Sequence, residues 1–314
     1  MSPSRRSKGQ FRYAQPEGTP ANALSPSRAT MPPRSHTHPT MLFLLSPAKT
    51  LDYDTPVPKP VLRRVTEPLF ADRAAQLITT LRTRSPAQVA ALMGLSDKLA
   101  QLNVQRYAHW QPVATPGNSK PAVLAFDGDV YDGLDAKTLS TADLDWAQQH
   151  LVLLSGLYGA LRPLDRLQPY RLEMGTALQT GRGRDLYAFW ADTVVQHLNT
   201  LQAEESQPVV VNLASQEYAR VVLGPQAGGG LRARVVECVF EERQAGGGYK
   251  VVSFFAKKAR GLMARHAVQQ RLRSVQALKR FDGGGYAHDA AASTPQRLVF
   301  RRAGTAAAQE NAAP

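Results

Sequence analysis

The stretch from Leu151 to Gly175, LVLLSGLYGALRPLDRLQPYRLEMG, constrains the fold of this chain more than any other. Leu151 to Leu154 form a short apolar run that reads as a buried strand. The run breaks at Ser155-Gly156-Leu157-Tyr158-Gly159. Beyond the break come Arg162, Asp165, Arg166, Tyr170, Arg171 and Glu173, spaced by Pro163 and Pro169. Proline removes a backbone donor and glycine costs backbone entropy, so an ordinary helix does not run through this region. A strand ending in a glycine break and a rigid charged loop presents polar groups at a sheet edge. The alternative is a structural loop whose arginines and acids only pair with one another. Residue types alone leave both readings open.

The same pattern recurs along the chain. Met41 to Leu45 is an apolar run that stops at Ser46-Pro47-Ala48-Lys49. Ala122 to Phe126 reads as a strand leading to Asp129 and Tyr131, and Val209 to Val211 as one ending in Asn212 and Ser215. Helical patterns cover Glu67–Arg84, Pro86–Met93, Asp97–His109 and Asp185–Leu201, and a basic helix is expected from Lys257 to about Arg273. Leu231–Arg243 and Tyr249–Phe255, separated by Gly246-Gly247-Gly248, suggest a hairpin, with Arg297–Arg302 as a last edge strand. The fold class is therefore mixed α/β: a central mixed sheet flanked by helices.

Strand ends in such sheets converge on one crevice. The candidate pocket is Ser46, Lys49, Asp129, Tyr131, Ser155, Tyr158, Arg162, Tyr170, Arg171, Glu173, Asn212 and Ser215. These groups suit acid–base chemistry or the gripping of a phosphate or nucleobase. A carboxylate among several cations stays ionised, which favours Glu173 as an orienting partner for Arg171 or Lys49 over a proton donor. The pattern contains no Walker loop, GxGxxG, GxSxG or HExxH.

Charge points to the partner. The 314 residues carry a formal +13, and from Lys257 to Arg280 there are eight Lys/Arg and no acid. This predicts attraction to polyanions, with Lys257, Lys258, Arg260, Arg265 and Arg271 as phosphate contacts; the bland alternative is a solvated face. Gly94-Leu95-Ser96-Asp97-Lys98-Leu99-Ala100 approximates the turn of a helix-hairpin-helix, which offers backbone N–H groups at a helix N-terminus to a DNA phosphate. Gly94, Ser96 and Lys98 are its candidate contacts. Ser96 replaces the motif's second glycine and serves equally well as a plain N-cap joining two packed helices.

The remaining composition bounds the setting. No apolar run approaches the roughly 20 residues needed to span a bilayer. Cys238 is the only cysteine, so no intrachain disulfide forms, and a cytoplasmic setting fits. His109, His150, His197, His266 and His288 are isolated from one another, without the carboxylate–histidine spacing of a di-iron site. The expectation is no bound metal, no cofactor and a monomer. Residues 1–40 hold six Lys/Arg against one Glu and lack apolar periodicity. They read as a disordered extension, of the kind left when a start is chosen upstream of Met41. Residues 41–302 read as a single domain and 303–314 as a disordered tail.

The blocks LSPAKTLD, LMGLSDKLA, GDVYDGL, LSGLYGALRPLDRLQPYRLEMG, GRGRDLYAFW, NLASQEY and FFAKKARGLMARH, in this order, closely resemble the peroxide stress protein YaaA family of bacteria. The resemblance covers about Met41 to Arg302. It implies a compact mixed α/β fold with a positively charged cleft and a helix-hairpin-helix-like element that binds double-stranded or structured DNA. It also implies a role in surviving hydrogen peroxide, by lowering free iron and limiting DNA damage. Asp127 departs from the family, which carries a lysine there, and so weakens any phosphate contact by that loop. The competing expectation is an enzyme, glycosylase-like, acting on a nucleobase or nucleotide through the converged polar loops.

Overall fold

The computed structural model describes residues 41–227 and 230–303, apart from the side chain of Ala191; the expectations for residues 1–40 and for the tail from 304 onward lie outside these. Three runs without a polar interruption, β1 (Met41–Leu45), β2 (Leu151–Ser155) and β4 (Val209–Asn212), form the centre of an eight-stranded sheet. Every residue of the three is buried, as parallel strands covered on both faces require. β1 pairs in parallel with β2 on one side and β4 on the other. β3 (Gly159–Leu161) folds back antiparallel on β2 and closes that edge.

On the far side β4 pairs in parallel with β5 (Arg234–Arg243), whose alternating burial marks a strand with one covered face. β6 (Tyr249–Lys250) pairs with β5 as the expected hairpin, but is only two residues long because Ser253 already begins a helix. β7 (Ala287–Thr294) and β8 (Arg297–Arg302) complete the sheet in the order β7-β8-β5-β4-β1-β2-β3. The expectation of an edge strand at Arg297–Arg302 is corrected: β8 lies inside the sheet, parallel to β5, and β7 is the edge.

The helices longer than a single turn are α1 (Ala71–Arg82), α2 (Pro86–Met93), α3 (Asp97–His109), α4 (Asp129–Leu134), α5 (Thr141–His150), α6 (Leu186–Leu201), α7 (Gln216–Leu223) and α8 (Ser253–Gln269). α2 begins at a capping box, in which the Ser85 side chain accepts from Gln88 N while the Gln88 side chain accepts from Ser85 N. It ends at Gly94, whose left-handed backbone (φ 62°) turns the chain into α3. The strand expected over Ala122–Phe126 is reduced to Phe126, which with Asp127 pairs antiparallel to Thr50–Leu51. Ala122–Ala125 is a single helical turn begun by Pro121 and buried on all sides, which a five-residue apolar run cannot signal. α8 is displaced from its expected bounds: it begins earlier, at Ser253, and ends earlier, at Gln269, because Arg271 takes a left-handed backbone (φ 50°) just beyond its end.

Candidate functional site

The strand order places a topological switch point between β1 and β4: the chain leaves β1 for one side of the sheet and returns on the other. Two serines meet there. Ser46 follows β1, and Ser215 follows β4 as the N-cap of α7, its hydroxyl accepting from Tyr218 N. Ser215 N donates to Ser46 Oγ at 2.9 Å, and the two hydroxyls lie 3.3 Å apart. The buried Asn212 side chain accepts from Ala214 N at 3.0 Å and shapes this turn.

Asp129 and Tyr131 reach the same place on a helix, α4, and not on the loop of a fourth strand. The Tyr131 hydroxyl donates to Ser46 O at 3.1 Å. α4 is held by an unusually close crossing with α8. A Cβ on Gly261 would lie 1.9 Å from Val130 O, and one on Gly133 would lie 2.2 Å from Lys258 O, so only glycine permits the approach. The crossing brings Lys257 to 4.0 Å from Asp129. It thereby joins the basic helix to the strand-end groups.

The stretch from Leu151 to Gly175 contributes Arg171 and Glu173. Glu173 accepts from Arg171 at 3.1 Å and pairs with Lys49 at 2.9 Å, so one carboxylate orients two cations from different segments. Beneath it, Ser155 Oγ and Tyr170 OH are 2.6 Å apart, Ser155 Oγ accepts from Tyr158 N, and Trp110 Nε1 donates to Tyr158 OH at 2.9 Å. Gly156 packs so closely on Leu172 O that a Cβ there would lie 2.2 Å from it. Burial pushes the Tyr158 phenol up to about 12 and the Tyr170 and Tyr131 phenols higher still, so all three remain protonated hydrogen-bonding groups at neutral pH.

Arg162 stands apart. β3 runs back along β2, which carries Arg162 to the opposite end of the sheet, where its backbone N–H and side chain face Asp165. Burial raises the pKa of Asp165 despite its hydrogen bond from Thr66, as expected of a carboxylate fixed inside the fold.

The predicted phosphate contacts divide in two. Arg265 donates to Leu134 O, Asp135 O and Thr138 Oγ1, and Arg271 pairs with Asp143 at 2.8 Å, so both guanidinium groups are engaged within the fold. Arg260 is half-buried near Glu237. Lys257 and Lys258 are exposed on the first half of α8. At the α2–α3 turn, Gly94, Ser96 and Lys98 are exposed. The Ser96 side chain makes no capping bond, leaving first-turn N–H groups of α3 without a side-chain acceptor. α3 then runs about 16 Å back to Tyr107, whose hydroxyl donates to Arg171 O. Tyr53, Arg106 and Tyr107 were not singled out from sequence; as isolated polar residues in a turn and an amphipathic helix they carry no motif.

Among the described residues, no group of three or more His, Cys, Asp or Glu side chains is placed to hold a metal. Nor is any helix there long and apolar enough to cross a membrane.

The model of a family described as peroxide stress protein YaaA matches residues 41–292. A UPF0246 protein of Leptothrix cholodnii is 64% identical over 264 residues, covering 83% of this chain and 98% of the relative. UPF0246 proteins of Verminephrobacter eiseniae and of a Polaromonas species are each 57% identical, over 85% and 83% of this chain and 100% and 98% of theirs. The chain therefore belongs to the YaaA family of peroxide stress proteins.

Proposed function

We propose that this protein acts in the response to peroxide stress by binding duplex or structured DNA, thereby limiting oxidative damage to it. Membership of the family supports the stress role. The observation that carries the DNA reading is the α2–α3 turn. Its glycine is left-handed with open space around it, the helix N-terminus behind it lacks a side-chain cap, and Lys98 is exposed one residue into the helix. Backbone N–H groups at such a terminus favour an anion and read no base, so this contact is independent of sequence. Asp97 on the same turn opposes the attraction, and the exposed Lys257 and Lys258 on α8 supply further positive charge. Limitation of free iron would follow from the family's role; among the described residues no group of three or more His, Cys, Asp or Glu side chains is placed to hold a metal.

The test is salt dependence. Replacing Lys257 and Lys258 together by Ala should weaken duplex binding equally across sequences and reduce the slope of log K against log salt by roughly 1 to 2. An unchanged slope places the binding face elsewhere.

A further inference from the structure

The segment after β1 and the second half of α3 line an open cavity of about 480 Å³, within the size range of small-molecule sites. Its walls include Tyr53, Leu102, Arg106, His109, Trp110 and Asn118, and also the exposed Asp54, which makes no ion pair with Arg106. The polar ends of the two aromatic residues are already used: Tyr53 OH donates to Leu167 O, and Trp110 Nε1 to Tyr158 OH. What they offer the cavity is apolar ring surface.

Arg106 is the unusual wall residue. It is half-buried, and among the described residues it has no carboxylate partner; its hydrogen bond there is a long 3.4 Å contact to Asn103 Oδ1. Burial lowers its pKa and the nearby Arg171 lowers it further, against the opposing influence of Tyr53 and Tyr107. A guanidinium withdrawn from water without a counter-charge is unfavourable until an anion joins it. Two further groups are half-satisfied. Asn118 Oδ1 accepts from Thr115 N at 2.7 Å, leaving its amide N–H groups to donate. His109 Nδ1 lies 2.8 Å from Gln105 O, which makes Nδ1 the donor and leaves Nε2 as an acceptor.

One anion site, apolar ring surface, and a donor and an acceptor together describe the parts of a nucleotide. A simple carboxylic acid would use only the arginine. We propose that this cavity binds a nucleoside monophosphate, with the phosphate on Arg106, the flat base against Tyr53 and Leu102, and Asn118 and His109 at the base edge. A free nucleotide and one turned out of a DNA strand supply the same chemistry, so the proposal stands independently of duplex binding.

The experiment is calorimetric titration of the full chain with dAMP, dGMP, dCMP and dTMP, alongside the matching nucleosides. Saturable one-site binding is expected for at least one monophosphate. Its nucleoside should bind roughly tenfold to a hundredfold more weakly, as should the monophosphate with Arg106→Gln. Leu102→Trp fills the cavity from a side chain that is 39% exposed, so it should abolish binding with the melting temperature kept, even if Arg106→Gln fails to fold. No saturable binding up to ~1 mM, or wild-type affinity in both variants, overturns the proposal. A duplex carrying 2-aminopurine assigns the source. Emission that rises with the wild type and not with Leu102→Trp identifies a nucleotide turned out of DNA, and unchanged emission a free one. Nucleotide binding without duplex binding would sink the DNA reading and leave this site intact.

Discussion

Glu173→Gln separates an orienting role for this carboxylate from a merely structural one. The substitution nearly preserves shape, and the new amide oxygen can still accept from Arg171, now 3.1 Å away. Stability should change little. The Lys49 side chain is 65% exposed, and such pairs are worth about 0–1 kcal/mol. The loss corresponds to ~4 °C or less in a chain of this size. Two effects on DNA affinity then oppose each other. Removing a negative charge from beside the phosphates gains about 1 kcal/mol at water-like dielectric. Releasing the long Lys49 side chain from its charged anchor returns rotamer freedom worth up to ~2 kcal/mol, which binding must again remove. The second effect wins by up to about 1 kcal/mol, and duplex affinity at ~0.15 M salt should fall by up to about fivefold. Fluorescence anisotropy beside a melting curve reads both quantities, and restoration of peroxide resistance in a cell lacking its own copy should fail with the affinity. Equal or tighter binding with an unchanged melting temperature would mean that Glu173 only masks the cations. A large drop in melting temperature with function lost in proportion would make it a loop staple.

Two further predictions follow from the interior. Gly261→Ala places a methyl group 1.9 Å from the backbone oxygen of Val130, which cannot rotate away. α4 must shift, costing about 1–3 kcal/mol, lowering the melting temperature by roughly 4–10 °C and disturbing the Tyr131–Ser46 contact; an unchanged melting temperature would refute the crossing. His150 stacks on Trp146 at 3.8 Å, and burial, helped by Arg273 and Arg271, lowers its pKa to about 4; burial does the same for His197. The unfolded chain takes up these protons first, so stability is full above the ordinary value near 6.5 and is lost as pH falls from there toward 4. His150→Phe keeps an aromatic ring against Trp146 and should flatten melting temperature against pH across that window; an unchanged slope would assign the acid sensitivity to other groups.

The central strands were legible because parallel strands buried on both faces leave uninterrupted apolar runs, as in MLFLL, LVLLS and VVVN. The helix bounds Pro86–Met93 and Asp97–His109 were legible because Ser85, Gly94 and Ser96 punctuate them. α4 was not, since GDVYDGL carries the glycines of a turn. Gly133 is there for the α8 crossing, a tertiary reason with no local signature. β7, rich in alanine and lying at the edge, gives no alternation to read. For the site, the pairing of Glu173 with Arg171 or Lys49 followed from charge type alone. The destinations of Arg162, Arg265 and Arg271 did not, because a guanidinium reads the same in sequence whether it faces solvent or caps a neighbouring helix.

Amide hydrogen exchange of the full chain, with and without a DNA duplex at low salt, tests the DNA reading most directly. The account predicts protection at the α2–α3 turn, over Leu95 to Ala100, together with the segments around Lys49 and Lys257–Lys258. Binding that leaves all three unprotected, or protection confined to the β7–β8–β5 side where Glu241 and Asp289 pair with Arg301, would contradict it.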